Sequence, residues 1–462
     1  MELTNIKQVY FLGIGGIGMS ALARWFNHAD FEVSGYDSTE TLLTQKLIAE
    51  GIAVHYNDCP EHAEKLDRET TLVVLTPAVP KHMQERVYLE NNHFNIMKRA
   101  QVLGAIANQF KGVAVAGTHG KTSISTMTAH IFKTSTKECT AFLGGISKNY
   151  ESNLLLSNQP EYAVCEADEF DRSFLNLYPA YALISSVDAD HLDIYGTHQE
   201  MLNGFLSFAR QVTDVLLCKL NVSEKLNIAE KGIAAKTYTY DLRNGAANYY
   251  ASDIQLKNEA YYFDLIHPQG KIKGLCLNYP GLLNVENMVG AIALALLAGL
   301  KEQEIRKAVQ TYKGVQRRFD VRFKNEKLML IDDYAHHPTE LRATISSVRA
   351  MYPSRKITGV FQPHLYSRTR DFTEEFAHEL SQVDELLLLD IYPARELPIA
   401  GITSELILNM AEVADKKLLK RNELEQQLMN REEGLILMMG AGDISLSIDK
   451  VAAHYKERSA HG

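Results

Sequence analysis

Short apolar runs alternate along the chain with longer amphipathic segments. The runs at 8–12, 32–35 and 71–75 are predicted to be buried strands, and 19–28 and 99–110 are predicted to be helices. Further strands are predicted directly before residue 117 and at 162–165, 182–186, 328–331, 357–361, 385–389 and 435–439, with a buried helix at 288–297. Strands that alternate with helices form mostly parallel, doubly wound sheets, so the pattern predicts an α/β protein.

Length and composition limit the possible classes of protein. A chain of 462 residues is too long for one hydrophobic core, and we expect three domains at 1–107, 108–313 and 314–462. The formal net charge of -9 argues against nucleic acid as a main partner. Five cysteines without a Cys-x-x-Cys pair indicate a reducing cytoplasm, and neither a signal pattern nor an apolar run long enough for membrane insertion occurs.

A first glycine-rich turn, GIGGIG, lies between the first predicted strand and its helix. Glycines at this position let backbone N–H groups approach a diphosphate, and an acid after the second strand is typical of dinucleotide folds. The candidate residues for this diphosphate site are Gly13, Gly15, Gly16, Ile17, Gly18, Asp37 and Thr76. Alone, the turn fits either an NAD-dependent dehydrogenase or a protein that binds a nucleotide diphosphate sugar.

A second turn, GTHGKTS, follows the apolar strand that ends before residue 117. It predicts a polyphosphate site in which backbone N–H groups surround ATP, Lys121 contacts the terminal phosphates and Thr122 ligates Mg²⁺. The candidate ATP residues in the turn are Gly117, Thr118, His119, Gly120, Lys121, Thr122 and Ser123. A turn that merely caps a helix is the alternative. The dehydrogenase hypothesis explains the first turn only and gives no function to this second turn.

Acidic residues follow two predicted strands of the central region. Four carboxylates lie within residues 166–171, beginning with Glu166, and His191 stands among three acids. Strand carboxyl ends are where open α/β sheets gather ligands, so Glu166 and His191 are candidate Mg²⁺ ligands. The alternatives are a solvated acidic turn and a structural histidine.

Polar side chains also mark the last third of the chain. Asn284 could cap the helix that follows it or pair with adenine, and Arg317 and Arg318 are either phosphate ligands or a surface pair. The segments DDYAHHP and QPHLYSRTR follow predicted strands, which is how α/β sites are built.

The motifs LGIGGIGMSALA, GTHGKTS, EADE, DHLD, RRFD, DDYAHHPTE and PHLYSRTRDF together resemble, in order and spacing, the Mur ligases of peptidoglycan synthesis. The resemblance covers nearly the whole chain. It implies a Rossmann-like N-terminal domain, a P-loop ATPase-like central domain with a mostly parallel sheet, and a Rossmann-like C-terminal domain. It also implies a cytoplasmic enzyme that joins L-alanine to the lactyl carboxylate of UDP-N-acetylmuramate through an acyl phosphate, with ATP and Mg²⁺.

The resemblance assigns roles to the candidate residues. Lys121, Glu166 and His191 are then catalytic, and Thr122, Glu166 and His191 hold Mg²⁺. It places Asn284, Arg317 and Arg318 at the ATP, the first glycine turn at the uridine diphosphate, and Tyr334, His336 and Arg368 at the amino acid. No lysine lies in 192–211, where sister ligases often carry a carbamylated one, and this favours the alanine-adding member.

Some alternatives stay open. A recycling ligase would attach a whole peptide to the same sugar nucleotide, and a nucleotide-sensing module would bind ATP without catalysis. We expect the partners to be small molecules, and the protein to be a monomer or a dimer.

Overall fold

Three β-sheets organise the chain in the computed structural model, which describes residues 5–190, 192–394 and 396–461. Helices follow most strands, and parallel pairing dominates the N- and C-terminal sheets. The predicted three-domain α/β fold is confirmed. The domain boundaries at 107/108 and 313/314 stay predictions.

The N-terminal sheet has five parallel strands in the order β3-β2-β1-β4-β5. The strands are β1 Gln8–Leu12, β2 Glu32–Tyr36, β3 Ala53–His55, β4 Thr71–Leu75 and β5 Asn95–Lys98. The helices are α1 Ile17–His28, α2 Leu42–Ala49, α3 Pro60–Ala63, α4 Gln84–Asn91 and α5 Arg99–Ala107. Chain order reverses at β1, so the first glycine turn lies at the point where such sheets bind ligands.

The central sheet has ten strands in the order β15-β14-β13-β12-β11-β10-β6-β9-β7-β8. These are β6 Lys111–Ala116, β7 Cys139–Ser147, β8 Ser152–Leu155, β9 Tyr162–Ala167, β10 Tyr181–Ile184, β11 Val215–Lys219, β12 Lys236–Asp241, β13 Tyr249–Lys257, β14 Ala260–His267 and β15 Gly270–Leu277. Its helices are α6 Lys121–Lys133, α7 Leu192–Tyr195, α8 His198–Gln211, α9 Leu220–Lys225, α10 Leu282–Leu297 and α11 Glu302–Thr311. Strands β6 and β9 to β12 are joined by parallel pairs, whereas β8 runs antiparallel to β7.

The C-terminal sheet has six strands in the order β16-β17-β21-β18-β19-β20, of which only β16 pairs antiparallel. These are β16 Asp320–Lys324, β17 Leu328–Asp333, β18 Ile357–Phe361, β19 Glu385–Leu389, β20 Asp415–Leu419 and β21 Gly434–Met439. The helices are α12 Pro338–Met351, α13 Tyr366–Asp371, α14 Thr373–Leu380, α15 Ser404–Met410, α16 Leu424–Met429 and α17 Ser445–His461. Short 3-10 helices lie at Phe170–Asn176, Ile228–Glu230 and Arg421–Glu423.

The chain divides into two compact units. The first comprises Met1–Gln255, Tyr262–Leu277 and Val285–Lys313, and the second comprises Leu256–Tyr261, Asn278–Asn284 and Gly314–Gly462. One hydrophobic cluster of the first unit includes residues of β1 and β4 as well as β6 and β10. The N-terminal and central sheets therefore share a core. In the described part of the chain, no helix is both long and apolar enough to cross a membrane.

Candidate active site

The first glycine turn connects β1 to α1 and is closed by an acid from the next strand. Gly13 has a φ of +88°, and the N–H of Gly15 donates to Asp37 Oδ2 at 2.7 Å. A Cβ on Gly15 would lie 2.8 Å from that oxygen, so only glycine allows this approach. Helix α1 begins at Ile17 with no acid in its first turn, which leaves its positive end suited to an anion. Asp37 thus supports the turn rather than pointing away from it.

The second turn is held by the segment that follows β10. Ser186 Oγ accepts a hydrogen bond from the N–H of His119 at 2.7 Å and contacts Thr118 Oγ1 at 3.0 Å. Gly117 has a φ of +133°, and a Cβ there would lie 2.2 Å from Ser185 Oγ. Gly120, with a φ of +82°, precedes α6, whose first turn has no acidic residue. The turn therefore has the geometry that a phosphate-binding loop requires.

Lys121, the first residue of α6, lies inside the first unit beside an acid that the sequence did not single out. Its Nζ donates to the carbonyl oxygen of Gly117 at 2.8 Å and lies 2.7 Å from Glu169 Oε2. Burial works to lower the pKa of Lys121, but the nearby carboxylates, led by Glu169, outweigh burial and hold that pKa above its ordinary value. Lys121 is therefore a charged donor at the turn.

Thr122 and Glu166 form the oxygen-rich pair that the sequence predicts for a cation. Thr122 Oγ1 donates to Glu166 Oε2 at 2.8 Å. A Cβ on Gly144 of β7 would lie 2.0 Å from the same carboxylate oxygen, so glycine makes room for Glu166. Hydroxyl and carboxylate oxygens suit Mg²⁺, which keeps waters and phosphate oxygens as its other ligands.

The predicted third Mg²⁺ ligand, His191, lies outside the described residues. Within the ranges that the structure describes, no three His, Cys, Asp or Glu side chains form a metal-binding cluster. Of the four carboxylates at 166–171, Glu166 contacts Thr122, Glu169 contacts Lys121, and Asp171 pairs at 2.9 Å with Lys98. Asp168 lies 3.4 Å from Arg99. The acidic segment therefore serves several different partners.

A cavity of about 250 Å³ in the first unit extends from the first glycine turn to Glu166, one of the predicted Mg²⁺ ligands. Its lining includes the first glycine turn at 16–18, Thr76, Arg99, Gly144 and Glu166. Arg99 begins α5, and a Cβ on Gly18 would lie 2.6 Å from Arg99 Nη1. The sequence prediction missed Arg99, although Arg99 is the first residue of the helix predicted at 99–110.

The second unit brings the predicted arginines before β16 together with the predicted tyrosine after β17. The guanidinium carbons of Arg317 and Arg318 lie 4.8 and 4.9 Å from the centre of the Tyr334 ring. The Tyr334 N–H donates to the Arg317 carbonyl oxygen at 2.7 Å. Because both guanidinium groups pack against the same ring, the two arginines form an ordered cluster with Tyr334 and are not an isolated surface pair.

His336 and Arg368 belong to the same cluster. The His336 ring lies 5.3 Å from the Tyr334 ring and 6.1 Å from His364, measured between centroids. Arg368 is buried, and its Nη1 lies 3.4 Å from His364 Nδ1. The predicted amino-acid residues Tyr334, His336 and Arg368 are therefore neighbours, joined through His364, which sequence reasoning did not select.

Asn284 lies in the second unit, within the first turn of α10. Its Nδ2 donates to the carbonyl oxygen of Pro280 at 2.6 Å. The alternative that Asn284 caps the helix does not fit the structure, because α10 begins at Leu282 and Asn284 lies inside the first turn and not before it. The predicted contact with adenine stays a prediction.

Comparison with known proteins gives matches along the whole chain. Residues 8–111 match the model described as the Mur ligase family catalytic domain, 115–295 the Mur ligase middle domain, and 317–442 the Mur ligase glutamate ligase domain. A UDP-N-acetylmuramate--L-alanine ligase of Phocaeicola vulgatus is 46% identical over 456 residues, 98% of each chain. One of Porphyromonas gingivalis is 47% identical over 442 residues, 95% of this chain and 97% of that protein.

Solved structures give the same result. A UDP-N-acetylmuramate-alanine ligase of Thermotoga maritima has a TM-score of 0.83 at 26% identity, covering 98% of this chain and 99% of that one. A murein peptide ligase of Psychrobacter arcticus has a TM-score of 0.70 at 19% identity, covering 97% and 98%. At that identity the second likeness concerns the fold alone.

Proposed function

The chain belongs to the Mur ligase family, and we propose that it joins L-alanine to UDP-N-acetylmuramate with cleavage of ATP, the first amino-acid addition in peptidoglycan precursor synthesis. The observation that carries this proposal is the cavity that the first glycine turn shares with Glu166. It supports a diphosphate-bearing substrate whose reacting end extends toward the phosphate-binding loop. The names of the full-length relatives support the choice of sugar nucleotide and amino acid.

The chemistry requires activation of a carboxylate. A carboxylate resists attack by an amine until one oxygen becomes a good leaving group, and phosphoryl transfer from ATP provides that group. We propose that Lys121 stabilises charge on the phosphoryl group and that the N–H groups at the start of α6 hold its oxygens. We also propose that Arg99, which lies on the cavity wall beside Gly18, binds the anionic substrate through its guanidinium.

We propose that Thr122 and Glu166 hold Mg²⁺, with His191 as a further ligand. The support is the pair of oxygen donors 2.8 Å apart at the start of the phosphate-binding helix. A bound Mg²⁺ supplies positive charge against phosphate oxygens. In the other unit, Arg368 supports recognition of the alanine carboxylate, because a guanidinium binds carboxylates through two parallel hydrogen bonds.

The experiment is an assay of phosphate release together with product mass. The protein is incubated with Mg²⁺-ATP, UDP-N-acetylmuramate and, in separate reactions, L-alanine, glycine, L-serine or a tripeptide. We expect phosphate release and a product one alanyl residue heavier only when all three substrates are present. Faster release with the tripeptide would favour a recycling ligase, and binding of NADH without ATP turnover would contradict the proposal.

A further inference from the structure

Glu169 is a buried acid to which the proposed reaction has so far given no role. It is 0% exposed, and both its carboxylate oxygens lie close to Lys121 Nζ, at 2.9 and 2.7 Å. Burying a carboxylate is costly unless it is paired, so the position is informative. The partner is the lysine of the phosphate-binding loop.

The backbone around Glu169 is held firmly. Its carbonyl oxygen accepts hydrogen bonds from the Tyr195 hydroxyl at 2.7 Å and from the Arg172 N–H at 2.9 Å. Asp171 and Arg172 have φ values of +52° and +54°, which wind the segment into a tight turn after β9. The direction of the Glu169 side chain is therefore set by the fold.

Two fixed acceptors determine where the Lys121 ammonium points. An ammonium has three N–H donors, and the Gly117 carbonyl and the Glu169 carboxylate engage it from the loop and from the acidic turn. Ordering a lysine side chain costs considerable rotamer entropy, and these two contacts keep the Lys121 side chain ordered. We propose that Glu169 is a positioning residue, which anchors the Lys121 ammonium so that its remaining donor faces the phosphoryl group in transfer. This inference rests on the proposed ligase function.

The test compares Glu169→Gln with wild type in steady-state phosphate release. Glutamine keeps the shape of the side chain but removes the nearest counter-charge of the buried ammonium. We expect kcat to fall at least tenfold, while the KM values for ATP and UDP-N-acetylmuramate change less than threefold, because loop N–H groups still bind phosphate. Glu169→Asp, which restores the charge on a shorter stem, should recover part of the lost kcat.

Asp171→Asn is the matched control, since Asp171 lies on the same segment and pairs with a lysine at 2.9 Å, but in an exposed position. It should keep the wild-type kcat. A kcat for Glu169→Gln within threefold of wild type, or a Glu169→Asp variant no better than Glu169→Gln, would overturn the inference. If Glu169→Gln does not fold, Glu169→Asp decides: a lower kcat at constant KM supports the role, and an unchanged kcat contradicts it. Failure of the wild type to release phosphate would instead refute the ligase function.

Discussion

At the scale of single residues, Lys121 carries the largest share of the proposed chemistry. It begins α6 and contacts both the loop carbonyl of Gly117 and the buried Glu169. Its charge is held in place before any nucleotide arrives. The sugar nucleotide would bind at the other glycine turn, which follows β1.

Lys121→Ala should therefore separate catalysis from substrate binding. We expect kcat to fall about 100- to 1000-fold, the order of loss for one charge-stabilising donor. Binding of UDP-N-acetylmuramate, measured by calorimetry, should stay within about threefold of wild type. Lys133→Ala, at the last residue of the same helix, is the control and should retain activity. Undiminished phosphate release by Lys121→Ala would refute its role.

The buried carboxyl group of Asp332 makes the free energy of unfolding depend on pH. Burial, with added repulsion from Asp320 and Asp333, raises the pKa of Asp332 to about 7 from an ordinary value of 3.8, although Arg317 opposes the shift. The native state therefore holds this proton to higher pH than the unfolded chain does. Between about pH 4 and 7 this group makes the free energy of unfolding fall as the pH rises.

Asp332→Asn should remove that contribution. We expect the unfolding temperature of the variant to fall less steeply with pH between about 4 and 7 than that of wild type, as thermal unfolding monitored by circular dichroism would show. The exposed Asp415→Asn is the control and should keep the wild-type slope. A steeper slope for Asp332→Asn would contradict the assignment.

At the scale of elements, the carboxyl ends of β6, β9 and β10 bring together the second glycine turn, Glu166 and Ser186. Ser186, in the segment that follows β10, supports the turn through the His119 N–H and the Thr118 hydroxyl. The shape of the loop thus depends on a segment that is distant from it in sequence.

Ser186→Ala should loosen the loop without removing any charged group. Loss of the two hydrogen bonds that Ser186 Oγ accepts, each worth about 0.5–1.5 kcal/mol, predicts a KM for ATP that rises about 5- to 150-fold. The KM for UDP-N-acetylmuramate should not change, and steady-state kinetics with each substrate varied in turn will measure both. Ser207→Ala, which removes an exposed hydroxyl on α8, is the control. An unchanged KM for ATP would show that the loop holds its shape without Ser186.

Several strands that are buried on both faces could be predicted from the sequence, and the partly exposed strands β13 to β15 of the central sheet could not. The predictions at 8–12, 71–75, 357–361 and 385–389 match β1, β4, β18 and β19 to the residue, because strands buried on both faces are continuous apolar runs. Strands β13 to β15 were not predicted, since lysines and other polar residues interrupt their exposed faces.

The residues of the candidate site could likewise be predicted only in part. Lys121, Thr122 and Glu166 were predicted because local motifs carry them. Arg99 and Glu169 were missed because their importance depends on partners that lie far away in sequence. Sequence could not distinguish the buried Glu169 from the exposed Asp171 within one acidic run.

At the scale of the whole molecule, the N-terminal and central sheets lie in one compact unit. They share a hydrophobic cluster, and Arg24 of α1, which also pairs with Glu50, donates to Asn153 Oδ1 of β8 at 2.5 Å. Asn153 is buried and in turn donates to the Ser20 hydroxyl at 2.9 Å. A polar network thus supplements the apolar contact between these two sheets.

A double-mutant cycle on Arg24 and Asn153 measures that link. Each alanine substitution should cost about 1–3 kcal/mol, because it leaves a buried polar partner without its hydrogen bond. We expect a coupling free energy of about 1 kcal/mol between the two sites in denaturant unfolding. Additive effects would mean that the contact contributes no stability. Arg68→Ala, which removes an exposed arginine, should leave stability nearly unchanged.

We propose that two glycine turns of one compact unit hold two different nucleotides at the same time. Native mass spectrometry of the protein with UDP-N-acetylmuramate and a non-hydrolysable ATP analogue tests it directly. We expect a species that carries one copy of each nucleotide, and loss of the ATP analogue alone in a Gly117→Val variant. Species that carry either nucleotide but never both would contradict it.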